Sequence, residues 1–201
     1  GHGELSRADT LLMEQLLTSA NYELLHIDLA DGDALDPDSL VMILSPQKDL
    51  TALELEKLTA FCDAGGGLFI TSDFTDPLTL ENFGALYRAF GFQPLSGLVV
   101  ADKASTSEYY SDYPAQLLPV MQNTAPTSRL LQTGQDQLLL AGARAFENPV
   151  STSTLSASVV LRSGETSYLR DVSDGLQTLD KQATDRTGAF ALAIVSDWLQ
   201  A

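Results

Sequence analysis

Two hydrophobic rhythms alternate through the first ninety residues. Ser6 to Ala20 is amphipathic at helical spacing and opens with Ser6-Arg7-Ala8-Asp9. That is a capping box, in which Ser6 accepts from the Asp9 amide and Asp9 returns a bond at the positive end of the helix. Tyr22 to Leu29 (YELLHIDL) reads as a strand ended by Asp31-Gly32-Asp33. Leu40 to Leu44 (LVMIL) is a short unbroken apolar run, the pattern of a parallel strand covered on both faces, and it stops at Ser45-Pro46. Asp49 or Thr51 then caps a helix reaching about Ala64, with Leu53, Leu55, Leu58 and Phe61 near helical spacing. Gly65-Gly66-Gly67 ends it, one glycine taking the left-handed position after the helix. Gly67 to Ser72 is the next strand, with Asp73 at its carboxyl end, and Leu80 to Phe90 is a third helix closed by Gly91. This spacing predicts right-handed crossovers and an α/β fold: a largely parallel open sheet with helices on both faces.

The back half is less regular. Leu98 to Ala101 reads as a strand, Asp102 to Asp112 as a polar loop, and Pro114 to Met121 as a short helix begun by its proline. Leu138 to Phe146 and Leu155 to Leu161 have strand character, Asp174 to Lys181 is polar, and Gly188 to Trp198 is an apolar closing strand. No repeat, low-complexity tract or linker interrupts the chain, so residues 1–201 are expected to form a single domain.

Gly1-His2-Gly3-Glu4 feeds the first helix, which is the shape of a strand-to-helix loop at the carboxyl edge of an open sheet, where such sheets present their ligand crevice. The pattern therefore calls for a strand ahead of Gly1. Its absence is expected to leave an unpaired edge, filled by another segment or by a second copy in a homodimer.

Charge removes several classes of partner. The chain carries 27 acidic and 11 basic residues, a net charge of -16. Such a surface repels phosphate backbones and anionic headgroups, so nucleic acid is not an expected partner and neither is direct adsorption to a membrane. Cys62 is the sole cysteine, which excludes an intrachain disulfide and a cysteine zinc cluster. No stretch approaches the roughly 18 to 20 apolar residues of a membrane span. No phosphate-loop motif is present, and the glycines at 65–67 follow a helix instead of preceding one, the wrong polarity for an anion cradle.

Candidate chemistry gathers at the predicted strand ends: His2 and Glu4 in the first loop, Ser45 and Pro46 at the second strand end, Ser72 and Asp73 at the third. A metal site would need three or four convergent ligands, so the alternative is that His2 and Glu4 fix their own turn. Neither a metal nor another cofactor is expected. Cys62 lies in the last turn of a helix in phase with Leu55 and Leu58, a core position and not the elbow a nucleophile needs. His26 falls within the strand-like segment. Tyr109, Tyr110 and Tyr113 suit either a carbohydrate or peptide contact or a cover for the sheet edge.

The opening Gly1-His2-Gly3-Glu4, the following helix and Tyr22-Glu23-Leu24 resemble the extracytoplasmic auxiliary domain of ABC-2 type transport systems, the gliding-motility-type family. Leu40 to Pro46, Gly66 to Ile70, Leu161 to Tyr168 and Asp185 to Ala193 extend the resemblance, with Ala189 where the family has proline. The resemblance implies a fold similar to flavodoxin-like or class I glutamine amidotransferase-like sheets, with a related domain in an intraflagellar-transport protein. It further implies a non-enzymatic role on the extracytoplasmic side of the cell membrane, with membrane helices flanking these residues. There the domain would bind or position cargo or a partner protein beside an ABC permease and an ATPase carried on other chains. The rival expectations are a glycan or peptide hydrolase working through Glu4 and Asp73, and a pure protein-interaction scaffold.

Overall fold

The computed structural model describes residues 1–32, 34–173 and 175–198. Asp33, expected in the turn after Leu29, and Asp174, expected to open a polar stretch, lie outside the described residues. The chain divides into two compact units, Gly1–Ser72 with Thr79–Leu86, and Asp73–Leu78 with Tyr87–Ala201.

The first unit begins with helix α1 (Arg7–Ser19), where the Ser6 amide donates to the Asp9 carboxylate at 3.1 Å, the return half of the expected capping box. Strand β1 (Leu40–Leu44), helix α2 (Ala52–Asp63) and strand β2 (Gly67–Thr71) follow. Thr51 caps α2, accepting from the Glu54 amide at 3.3 Å while the Glu54 carboxylate accepts from the Thr51 amide at 2.7 Å. At its other end Gly65 has φ +104°, its amide donates to Cys62 and the Gly66 amide donates to Phe61, both at 3.0 Å. These two reverse bonds satisfy carbonyls that the helix leaves open. β1 and β2 run parallel, Leu40 opposite Gly67 through Leu44 opposite Thr71. Val41 and Ile43 turn one face of β1 into the buried interior, as do Leu58 and Phe61 of α2. Helix α3 (Glu81–Ala89) contains the change of unit between Leu86 and Tyr87.

The second unit is antiparallel throughout its described ladders. Its elements are β3 (Leu98–Val100), β4 (Gln116–Leu117), β5 (Val120–Met121), helix α4 (Ser128–Gln132), β6 (Leu140–Ala141), β7 (Leu155–Arg162), β8 (Tyr168–Arg170), β9 (Arg186–Thr187) and β10 (Ala191–Trp198). They form three small sheets, ordered β10-β7-β5, β3-β8-β9 and β4-β6. β3 is buried on both faces. Its middle residue Val99 enters a cluster with Leu117, Leu161, Phe190 and Leu192, while Leu98 and Val100 point the other way onto Tyr168. Each such side chain contributes about 1.5–3 kcal/mol by leaving water.

The expected fold class is therefore overturned. Among the described residues parallel pairing is confined to β1 and β2, and the remaining sheets are small and antiparallel, not a parallel open sheet of the flavodoxin-like or amidotransferase-like kind. The crossover rhythm of the first ninety residues does not continue, because the apolar runs of the back half pair with each other head to tail. Two elements also differ from expectation. Tyr22 to Leu29 forms no strand, and Pro114 to Met121 is two short strands instead of a helix. Pro119 excludes the helical conformation at Leu118, so a helix begun at Pro114 has nowhere to go. Leu138 to Phe146 keeps only β6 and single bridges at Ala143 and Phe146, with Gly142 at φ +64° breaking the run.

Candidate functional site

The opening loop is fastened to the carboxyl end of β1. The His2 carbonyl accepts the amides of Gln47 and Lys48, both at 2.8 Å, and the Leu5 amide donates to the Leu44 carbonyl at 3.0 Å. Glu4 turns back on the same loop, its carboxylate accepting the His2 amide at 2.8 Å. Ser45 is buried with φ +56°, a left-handed conformation rare for a residue with a side chain, and its amide donates to Thr71 at 3.1 Å. Pro46 is buried and Ser72 half-buried. His2, Glu4, Ser45, Pro46 and Ser72 thus all belong to the first unit.

Asp73 belongs to the second unit. Its carboxylate accepts the Thr75 amide at 2.8 Å and the Thr75 hydroxyl at 2.7 Å, and its own amide donates to the Asp76 carboxylate at 2.7 Å. The carboxyl group is thus engaged in building its own turn, and Asp73 pairs with Ala143 through a single antiparallel bridge.

The His2 ring is buried and held on three sides. Nδ1 lies 3.1 Å from the Asp49 carbonyl and Nε2 lies 3.3 Å from the Glu54 carboxylate, with the Phe83 ring edge-on at 6.1 Å between centroids. A carbonyl and a carboxylate are both acceptors, so either ring nitrogen has a partner to which its hydrogen can be donated. Glu54 is itself buried. Burial pushes its carboxyl up, but the bonds from the Thr51 amide and hydroxyl, with His2 nearby, outweigh that and hold it below the usual carboxylate range. Asp49 completes the network, accepting the amides of Asn82 and Phe83 at 3.0 and 3.1 Å in the first turn of α3. This places negative charge where the helix ends positive.

Chemically, this is a clamp. Both ring nitrogens of His2 are engaged, and the Glu54 carboxylate is engaged with the start of its own helix. Among the described residues no group of three His, Cys, Asp or Glu side chains converges as a metal site. Cys62 is buried, and burial followed by Asp63 pushes its thiol up, the opposite of an activated nucleophile. His26 stands in no strand; its Nε2 lies 3.9 Å from the Glu14 carboxylate with the ring mostly exposed.

Sequence reasoning missed Arg144. It is buried in the second unit, where its guanidinium donates to the carbonyls of Phe74 at 3.2 Å and Asp76 at 2.5 Å, pinning residues 73–78. Burial pulls the guanidinium down from its usual range, and the charges of Asp76, Tyr87 and Asp73 pull it back. With Phe74, Leu78, Ser96, Val172 and Leu176 it lines an open cavity of about 610 Å³. The available signal was a lone cation between Ala143 and Ala145 in an otherwise apolar run. Of the tyrosines, Tyr109 packs on the main core cluster and donates its hydroxyl to the Lys103 carbonyl at 3.0 Å, whereas Tyr110 and Tyr113 are exposed.

No known protein family and no curated protein matches the chain. Among solved structures it is similar to the mmIFT52 N-terminal domain, at 18% identity and a TM-score of 0.62, over 85% of this chain and 73% of that one. At that identity the likeness establishes a shared fold alone.

Proposed function

We propose that this chain is a non-enzymatic positioning domain, the extracytoplasmic part of a membrane-anchored auxiliary subunit of an ABC-2 type transporter. It holds a partner protein or cargo beside the permease while ATP is hydrolysed on another chain. The observation that carries this reading is the outward stripe of α1. Thr10, Met13, Glu14 and Leu17, at helical spacing, are its buried or half-buried positions, whereas Leu11, Leu12 and Leu16 stand 50%, 69% and 63% exposed. An amphipathic helix that turns leucines to water is a surface awaiting a partner. The engagement of His2, Glu4 and Asp73 in backbone contacts supports a binding role over a hydrolytic one. No described helix is long and apolar enough to cross a membrane, so the anchor in this reading is supplied from outside the described residues.

The test places a photo-activated cross-linking amino acid at Leu12 or Leu16 in the membrane-anchored protein, co-expressed with the permease and ATPase subunits of an ABC-2 type transporter. Adducts to the permease are expected from these positions and not from Met13, and Leu12→Asp with Leu16→Asp abolishes co-purification while the domain still folds. A complex that assembles normally with both aspartates in place overturns the α1 assignment. Hydrolysis of a glycan or peptide by the purified chain, lost in Glu4→Gln or Asp73→Asn, overturns the non-enzymatic role.

A further inference from the structure

Glu108, in the second unit, lies in the loop of residues 102–113 and reaches across to the turn of residues 163–167, which joins β7 to β8. Its carboxyl group covers Gly164 so closely that a Cβ built there would fall on it, and the three atoms nearest that Cβ all belong to the carboxyl. A second contact joins loop and turn, the Ser105 and Thr166 hydroxyls lying 3.0 Å apart. On its other side the loop is held by backbone bonds. The Leu118 amide donates to the Glu108 carbonyl and the Tyr110 amide to the Gln116 carbonyl, both at 2.8 Å.

This position suits a neutral carboxyl and not an ionised one. Glu108 Oε2 is buried with no hydrogen-bond partner among the described residues, which costs a charged oxygen far more than an uncharged one. The neighbouring charges add to that cost, Asp102 acting from the start of the same loop and Glu165 from the turn. Lys103, the one basic residue of the loop, is held by Asp180. The turn has no basic residue, and Arg162 just ahead of it directs its guanidinium to Asn148. Burial, then Asp102 and Glu165, push the Glu108 carboxyl above the usual carboxylate range. Glu54 is the contrast, a buried carboxylate that the Thr51 amide and hydroxyl hold low.

We propose that Glu108 is a pH-sensitive latch, which holds loop 102–113 shut on turn 163–167 while its carboxyl is protonated and releases the loop when it ionises. A neutral carboxyl rests over Gly164, where the missing side chain leaves room for it. An anion gains water, and distance from Asp102 and Glu165, by swinging out. Because the folded value lies above the unfolded one, closure is complete below about 4.3 and is lost as pH rises through the folded value. Tyr110 and Tyr113, 56% and 61% exposed, ride on the same loop, so the latch governs how firmly that aromatic surface is held. None of this depends on what α1 binds.

The test follows the Glu108 carboxyl carbon and amide exchange by NMR in the 201-residue chain, between about pH 4 and 8. The carboxyl is expected to titrate with a midpoint above about 4.3. The Glu108 and Ser167 amides, which donate to the Ser105 and Gly164 carbonyls, report on loop and turn. Their protection, corrected for the intrinsic pH dependence of exchange, should fall by about tenfold or more across that midpoint. The Val99 amide, bonded to Ala143, shows that the core is intact throughout. Glu108→Gln keeps the size without the charge and should hold the acid level of protection at every pH. Gly164→Ala puts a methyl group where the carboxyl sits, so the midpoint should return toward about 4.3 and protection should be low at every pH. A native midpoint at or below about 4.3, or protection that does not change with pH, overturns the latch. So does a pH dependence that survives in full in Glu108→Gln, which would assign it to Asp102 or Glu165, or a midpoint that Gly164→Ala leaves in place.

Discussion

At the residue scale the decisive side chain is His2, because its contacts separate a clamp from a catalyst. Its place in a glycine turn was legible in the sequence; its partners were not, since Asp49 stands 47 residues along the chain and the contact exists only once β1 and α2 have folded. Asp49 offered a local meaning as a cap of the helix after it, whereas its carboxylate caps α3 instead. The network makes a pH prediction. The Glu54 carboxyl lies below its unfolded value, so its contribution to stability is fully present above the unfolded pKa, about 4.3, and is lost as pH falls through the lower folded value. Urea unfolding followed downward from neutral pH should show stability falling through this range, and Glu54→Gln should remove that part of the slope. His2→Ala removes the ring from between the buried Glu54 carboxylate and the Asp49 carbonyl and should cost about 2 kcal/mol at pH 7. If His2→Ala matched the native protein in urea, the clamp would have no energetic role.

At the scale of elements, local signals succeeded where local chemistry decides. The capping residues Ser6 and Thr51, the glycine after α2 and the glycine after α3 mark helix ends that the sequence placed within about two residues of where they fall. Pairing was another matter. β7 and β10 pair over eight-residue strands, Leu155 opposite Trp198, with β8 and β9 between them in sequence, and no short-range pattern encodes that register. Tyr22 to Leu29 shows the converse, a strand pattern that finds no ladder. The helix ends themselves are testable by substitution. Gly91 has φ +78°, and a Cβ there would sit 2.6 Å from the Val150 carbonyl oxygen and 2.9 Å from a Leu155 methyl. Gly65 has φ +104° but open space around it. Gly65→Ala should therefore cost about 1–2 kcal/mol from backbone strain alone, and Gly91→Ala about 3 kcal/mol or more, since a backbone oxygen must move as well. Equilibrium unfolding in urea checks the order; equal costs would mean that the Val150 segment yields freely.

For the whole molecule the dominant physical fact is charge, and it sets how the protein answers to salt. Even if every one of the 11 basic residues were paired, 16 of the 27 acidic ones would remain unneutralised. The described ion pairs are mostly at the surface. Lys103 with Asp180 and Arg186 with Glu147 are well exposed, whereas Asp185, 3.1 Å from Arg170, and Glu54, 3.3 Å from the His2 ring, are shielded from water. Exposed pairs contribute little, with a median of about 0–1 kcal/mol, so their weakening by salt is a small loss. Repulsion among the surplus carboxylates is the larger effect. Its range shrinks from about 30 Å at 0.01 M salt to about 8 Å at 0.15 M. The protein should therefore become more stable as sodium chloride is added over that interval, by about 1 kcal/mol or roughly 2–4 °C in Tm. Potassium chloride should act equally, because screening does not distinguish the two cations. A Tm that fell with salt would show that attractive pairs outweigh the repulsion, and a gain specific to one cation would point to a binding site instead of a field.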